Sequence, residues 1–103
     1  MKEIGRLLAS SLPVGSMTKL KLPPYDVLVA NVDGTFYAIE DGCPHSGRSL
    51  SLGSIEGHHV TCPAHRWIID VRDGKVLTAV GVGEFNKTYR IELVGEWVVV
   101  YAT

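Results

Sequence analysis

Short β-branched and aromatic runs, each cut off by Gly, Pro or an Asp-Gly pair, recur from one end of the chain to the other. This punctuation constrains the fold more than any other feature. A strand needs only about four to eight residues between turns, whereas a helix needs roughly ten or more without a break. Eleven Gly and five Pro among 103 residues, with no long Ala, Leu, Glu and Lys stretch, disfavour a helix bundle. The expected fold class is therefore all-β. Residues 25–32 (YDVLVANV) and 35–39 (TFYAI) flank Asp33-Gly34, a hairpin signature. Tyr89, Ile91 and Leu93 alternate with Arg90 and Glu92, Gly95 turns, and residues 97–101 return as a second hairpin. Weaker strands are expected around Ile55, at 59–61 and at 67–71, with turns at Glu56-Gly57 and Asp73-Gly74. At the start, 4–9 and 17–22 flank the turn-like Pro13-Val14-Gly15, and Pro23-Pro24 reads as a bend.

With 46% hydrophobic and 20% charged residues, 1–103 is expected to form one domain around a modest core. Ten Lys and Arg against eleven Asp and Glu leave a net charge of −1, so no broad field favours nucleic acid or an anionic membrane. Neither is expected as a partner. Ile4, Leu7 and Leu8 are broken by Arg6 and followed by Ser10 and Ser11, too short a run for a signal peptide. Nothing reaches the roughly eighteen apolar residues of a membrane span. A soluble, cytoplasmic monomer is the expectation. The two cysteines, Cys43 and Cys62, do not make a disulfide framework; as reduced thiols they point to metal or redox work.

Two Gly/Pro-flanked loops, 42–49 and 61–66, interrupt the middle of the β frame, and each holds one Cys and one His. Cys43-Pro44-His45 and Cys62-Pro63-Ala64-His65 read as C-x-H, sixteen intervening residues, then C-x-x-H. Thiolate is a soft ligand suited to iron-sulfur clusters and zinc, imidazole suits iron and zinc, and two of each complete one four-ligand set. Zinc sites usually place two to four residues between paired ligands. A one-residue C-x-H spacing therefore fits a zinc-stabilised interaction module less well than an iron-sulfur centre.

The spacing resembles that of the Rieske iron-sulfur proteins. Residues 34–50, GTFYAIEDGCPHSGRSL, are similar to the hairpin and first cluster loop of small bacterial Rieske ferredoxins, and Leu12-Pro13-Val14-Gly15 to their early turn. The likeness runs along essentially the whole chain. It implies a Rieske-type antiparallel β-sandwich with a cluster-binding subdomain of two loops at about 42–71. It also implies one 2Fe-2S cluster, with Cys43 and Cys62 on the inner iron and His45 and His65 on the outer one. Replacing two thiolates by neutral imidazoles makes such a centre less negative and easier to reduce. High-potential relatives have a disulfide between the loops, where this chain has Arg48 and Ala64. They also have Ser and Tyr donors, where it has Trp67 and Ile69. Fewer donors leave the added electron less stabilised, which implies a low-potential ferredoxin.

The implied task is one-electron transfer from an NAD(P)H-dependent flavoprotein reductase to a terminal oxygenase, often a dioxygenase that hydroxylates aromatic hydrocarbons. Contacts would form near His45 and His65. A nitrite reductase small subunit shares the implied fold and is the alternative within electron transfer. A complete oxygenase is disfavoured, because its mononuclear iron needs two further histidines and a carboxylate, and the chain has no room for that domain. His58 and His59 are adjacent, and in a strand they point to opposite faces. They read as surface residues. Trp67 reads as a core residue before one that shields the cluster or meets a partner, and Tyr37, Tyr89, Trp97 and Tyr101 read as structural strand aromatics. Pro44 and Pro63 stiffen the loops by fixing φ. Arg48 reads as a partner contact or a solvated charge, and Glu40, Asp41 and Glu56 as solvated charges before charges that steer a basic reductase.

Overall fold

The computed structural model describes residues 2–22, 24–44, 47–64, 66–78 and 83–102. The Asp33-Gly34 signature forms its hairpin. β3 (Val27–Val32) and β4 (Thr35–Glu40) pair antiparallel from Val32↔Thr35 to Val27↔Glu40. Asp33 and Gly34 have φ of 52° and 90°, the doubly positive turn that follows the strand twist. The Asn31 carboxamide oxygen accepts the Gly34 N–H at 2.9 Å and helps to hold this corner.

Before this hairpin come β1 (Glu3–Leu8) and β2 (Met17–Leu20), and after it the closing hairpin of β8 (Thr88–Val94) and β9 (Trp97–Tyr101). Between lie three short strands, β5 (Ser54–Glu56), β6 (His59–Thr61) and β7 (Ile68–Asp70). The long strands form one six-stranded sheet, β1-β9-β8-β4-β3-β2, and the short ones a second sheet, β5-β6-β7, with antiparallel pairing throughout. The large sheet curls until β1 meets the chain beyond β2. A Cβ on Gly5 would lie 3.0 Å from Leu22 Cδ2. The all-β expectation holds, and no helix among the described residues is long and apolar enough to cross a membrane.

β3 explains how the two sheets are joined. All six of its residues are buried, because it has a strand on each side and a core on each face. Its side chains alternate between those cores, as the two-residue period of a strand requires. Val27 and Val29 join Leu12, Ala38, Val98 and Val100 inside the curl. Leu28, Ala30 and Val32 join Ile39, Leu50, Val60, Ile69 and Val71 beneath the small sheet. Each fully buried Leu or Val contributes about 1.5–3 kcal/mol relative to exposure, so neither core is a minor one.

Some details differ from the sequence reading. β3 begins at Val27, leaving Tyr25 exposed beside Pro24, and Pro23 lies outside the described residues. Glu56 pairs with His59, so Gly57-His58 forms the turn and His58 is not a strand residue. Tyr37 and Tyr89 pack against the cores, but Trp97 enters neither. It lies in the outer row Leu8↔Trp97↔Val94, with the Arg6 guanidinium 5.6 Å from its ring centroid.

Candidate metal centre

Both cysteine loops spring from strand ends and close at the neck in the same way. After β4 the chain forms a bridge between Gly42 and Ser49, and the Cys43 N–H donates to the Arg48 carbonyl at 2.8 Å. After β6 the Cys62 N–H donates to the Trp67 carbonyl, also at 2.8 Å. In each loop the donor is the cysteine and the acceptor stands five residues on. Glycine and one strained residue make the returns possible. Gly47 has φ of 72° and donates to the Cys43 carbonyl at 2.8 Å. Arg66 takes φ of 57°, a left-handed conformation that a long side chain adopts only when its surroundings impose it.

Cys43 and Cys62 are 3% and 1% exposed, and no disulfide joins them. Separated by eighteen residues in sequence, they belong to one buried cluster with Leu50, Trp67 and Ile69. His45 and His65 lie outside the described residues, as does Ser46. Trp67 has the core position expected of it, Ala64 packs half-buried against the same cluster, and Arg48 is exposed.

Further residues pin the necks, and sequence reading missed them or misread them. Asn86 is buried, and its Nδ2 donates to the carbonyls of Glu40 and Gly42 at 2.7 and 2.9 Å. It thereby holds the chain on both sides of Asp41. No local pattern marks it, since it comes more than forty residues later. Asp41 is not a solvated charge: it is 2% exposed. Its Oδ1 accepts the Ser51 N–H at 2.9 Å and its Oδ2 accepts the Ser49 hydroxyl, tying the outgoing arm of the loop to the incoming one. Its place two residues before the cysteine was the available signal. Where the second loop begins, a Cβ on Gly53, the residue before β5, would stand 1.9 Å from the Thr61 carbonyl oxygen, so only glycine lets these backbones touch.

The other histidines stand elsewhere. Thr61↔Ile68 leads into the second loop, whereas His59↔Asp70 lies at the opposite end of that hairpin. His58 meets Tyr37 edge-on at 5.6 Å, and His59 Nε2 lies 3.9 Å from Asp70 Oδ2. These separate contacts, not opposite strand faces, keep the pair from acting together. Asp70 is buried, and hydrogen bonding from the Arg72 guanidinium at 2.8 Å holds its carboxyl below the usual range, against the opposing effect of burial.

Two buried, unbridged thiols brought into one cluster from two similarly closed loops are a soft donor pair that fits an iron-sulfur group. Comparison with known proteins is consistent with this chemistry. Residues 6–88 match the Rieske [2Fe-2S] domain model. The chain belongs to the Rieske [2Fe-2S] family. This Rieske protein is 34% identical over 92 residues to the biphenyl 2,3-dioxygenase ferredoxin component of Rhodococcus jostii, covering 89% of this chain and 85% of that one. Its fold matches the ferredoxin of carbazole 1,9a-dioxygenase from Nocardioides aromaticivorans IC177 over the full length of both chains, with a TM-score of 0.91 at 22% identity. A chain in a complex of reduced oxygenase and oxidized ferredoxin of carbazole 1,9a-dioxygenase matches at TM-score 0.85 and 26% identity, covering 92% of this chain and 91% of that one. The Rieske protein described here is accordingly a ferredoxin with a [2Fe-2S] cofactor, an electron carrier and not itself a catalyst.

Proposed function

We propose that Cys43 and Cys62 hold one iron of the cluster and His45 and His65 the other. In this reading the chain takes electrons from an NAD(P)H-dependent flavoprotein reductase and passes them to the terminal oxygenase of an aromatic ring-hydroxylating system. The cluster, when bound, supplies a one-electron couple. What the protein adds is a fixed frame: the loop necks are hydrogen-bonded, the thiols are withdrawn from water, and two glycines let the supporting backbones close. The supporting observation is the pair of buried cysteines in one cluster on two loops closed by the same amide-to-carbonyl bond. Residues 1–103 act as one Rieske domain, with 42–71 as its cluster-binding part. The partners are transient and dock near His45 and His65, and the carrier works in the cytoplasm as a monomer.

The test is reconstitution with a purified flavoprotein reductase and terminal oxygenase. Product formation should depend on this protein and vanish with its Cys43→Ser variant. Turnover that proceeds equally without it would refute the carrier role.

A further inference from the structure

Two carboxylates are buried in this protein, and they are treated differently. Asp70, 6% exposed, has the Arg72 guanidinium at 2.8 Å. Asp41, 2% exposed, is absent from the ion pairs of the described residues. Its side-chain partners are neutral: the Ser51 N–H on Oδ1 and the Ser49 hydroxyl on Oδ2, with Ser51 Oγ 3.0 Å from Ser49 Oγ. Its main chain is fixed as well, donating to Asp26 and accepting from Leu50 at 2.9 and 2.7 Å.

Burying a charge without a counter-charge is costly, and hydrogen bonds offset only part of that cost. Tying the loop arms together does not require the charge, because an amide oxygen would still accept the Ser51 N–H, though more weakly. What an amide lacks is the negative field. Leu50, which donates to the Asp41 carbonyl, shares a buried apolar cluster with Cys43 and Cys62, so on that side the field crosses packed protein, while on its other side Asp41 borders a surface pocket with Lys19, Asp26 and Glu40.

We propose that Asp41 is a potential-setting residue: a buried carboxylate, held by neutral donors beside the first cysteine, whose charge makes the cluster harder to reduce. Reduction adds one electron's negative charge, and a fixed negative neighbour opposes it. The inference rests on Cys43 as a ligand. The loop geometry gives Asp41 its place, and its charge gives it its effect.

Protein-film voltammetry of the intact, cluster-loaded protein at fixed pH and ionic strength tests this, the electrode supplying the electron. Asp41→Asn keeps the shape and an acceptor while removing the charge. It should favour the reduced form by roughly tenfold, an upward midpoint shift of about 59 mV for a one-electron couple. Ser49→Ala keeps the charge and removes a donor, so its midpoint should stay level or fall. Loosening of the loop alone would move both variants in the same direction, and that result would overturn the proposal. So would an unchanged midpoint in Asp41→Asn, or a raised one in Ser49→Ala. Failure of Asp41→Asn to retain the cluster would also count against it, by making the carboxylate a requirement of assembly. The visible and EPR spectra of the unmodified protein report separately on the ligand assignment.

Discussion

Gly74 and Asn86 approach so closely that a Cβ on Gly74 would stand 2.0 Å from the Asn86 carbonyl oxygen. The Asn86 N–H also donates to the Gly74 carbonyl at 2.7 Å, so this contact seats the residue that grips the first loop. Gly74→Ala should therefore combine a backbone clash with the strain of φ at 75°. Gly95→Ala is the control, since φ is 60° there and nothing lies within 4 Å. By chemical denaturation Gly95→Ala should lose about 1 kcal/mol. Gly74→Ala should lose about 1–3 kcal/mol beyond that.

Asn86→Ala removes the donors that the part-buried Glu40 and Gly42 carbonyls accept, at a cost of about 1–3 kcal/mol. Asn86→Asp should be worse, because it sets carboxylate oxygens against the carbonyls of Glu40 and Gly42. Urea unfolding midpoints should rank unmodified protein above Ala and Ala above Asp. An Asp variant as stable as the unmodified protein would contradict the donor assignment.

The ligand set predicts an all-or-none pattern. Cys43→Ser, Cys62→Ser, His45→Ala and His65→Ala should each lose the visible absorption and the bound iron and sulfide. His58→Ala and His59→Ala should keep both, since those residues face Tyr37 and Asp70. Bleaching by either of the last two would mean that the ligand set has been drawn wrongly.

By the family resemblance, Trp67 and Ile69 take the places of hydroxyl donors found in high-potential relatives, and both are buried. The midpoint should lie at the negative end of the Rieske range of roughly −150 to +300 mV. Voltammetry giving a value above about +100 mV would sink the low-potential reading.

Asp70 links stability to acid. Its folded pKa is lowered, chiefly by the Arg72 hydrogen bond, so its stabilisation is complete above the unfolded carboxylate value of about 3.9. That stabilisation is lost as pH falls through the folded value. Between pH 5 and about 2 the unmodified protein should lose melting temperature faster than Asp70→Asn. Parallel curves would show that the pair contributes nothing to the acid limb.

The sequence disclosed what depends on local chemistry. Asp33-Gly34 between apolar runs located the central hairpin because a two-residue turn with positive φ admits few residue types. The C-x-H and C-x-x-H spacings single out both cysteine loops by themselves. What stayed hidden depends on contacts between distant segments. Asn86 serves Glu40 and Gly42 across more than forty residues, and Gly53 is required only because Thr61 lies against it. Asp41 looked like any surface acid because composition cannot say which carboxylate a loop will fold over. His58 was misplaced for a smaller reason: a one-residue change in turn position moved it out of β6.

The alternation along β3 also guards against misfolding. Val27 and Val29 belong to one core and Leu28, Ala30 and Val32 to the other, so a slip of one residue against its neighbours would exchange every side chain between the two. A strand with one solvated face can hide part of such an error by exposing its apolar residues to water. β3 has no solvated face, and a misaligned strand would spoil the packing under the small sheet and inside the curl together. Its correct register is therefore checked by both cores at once.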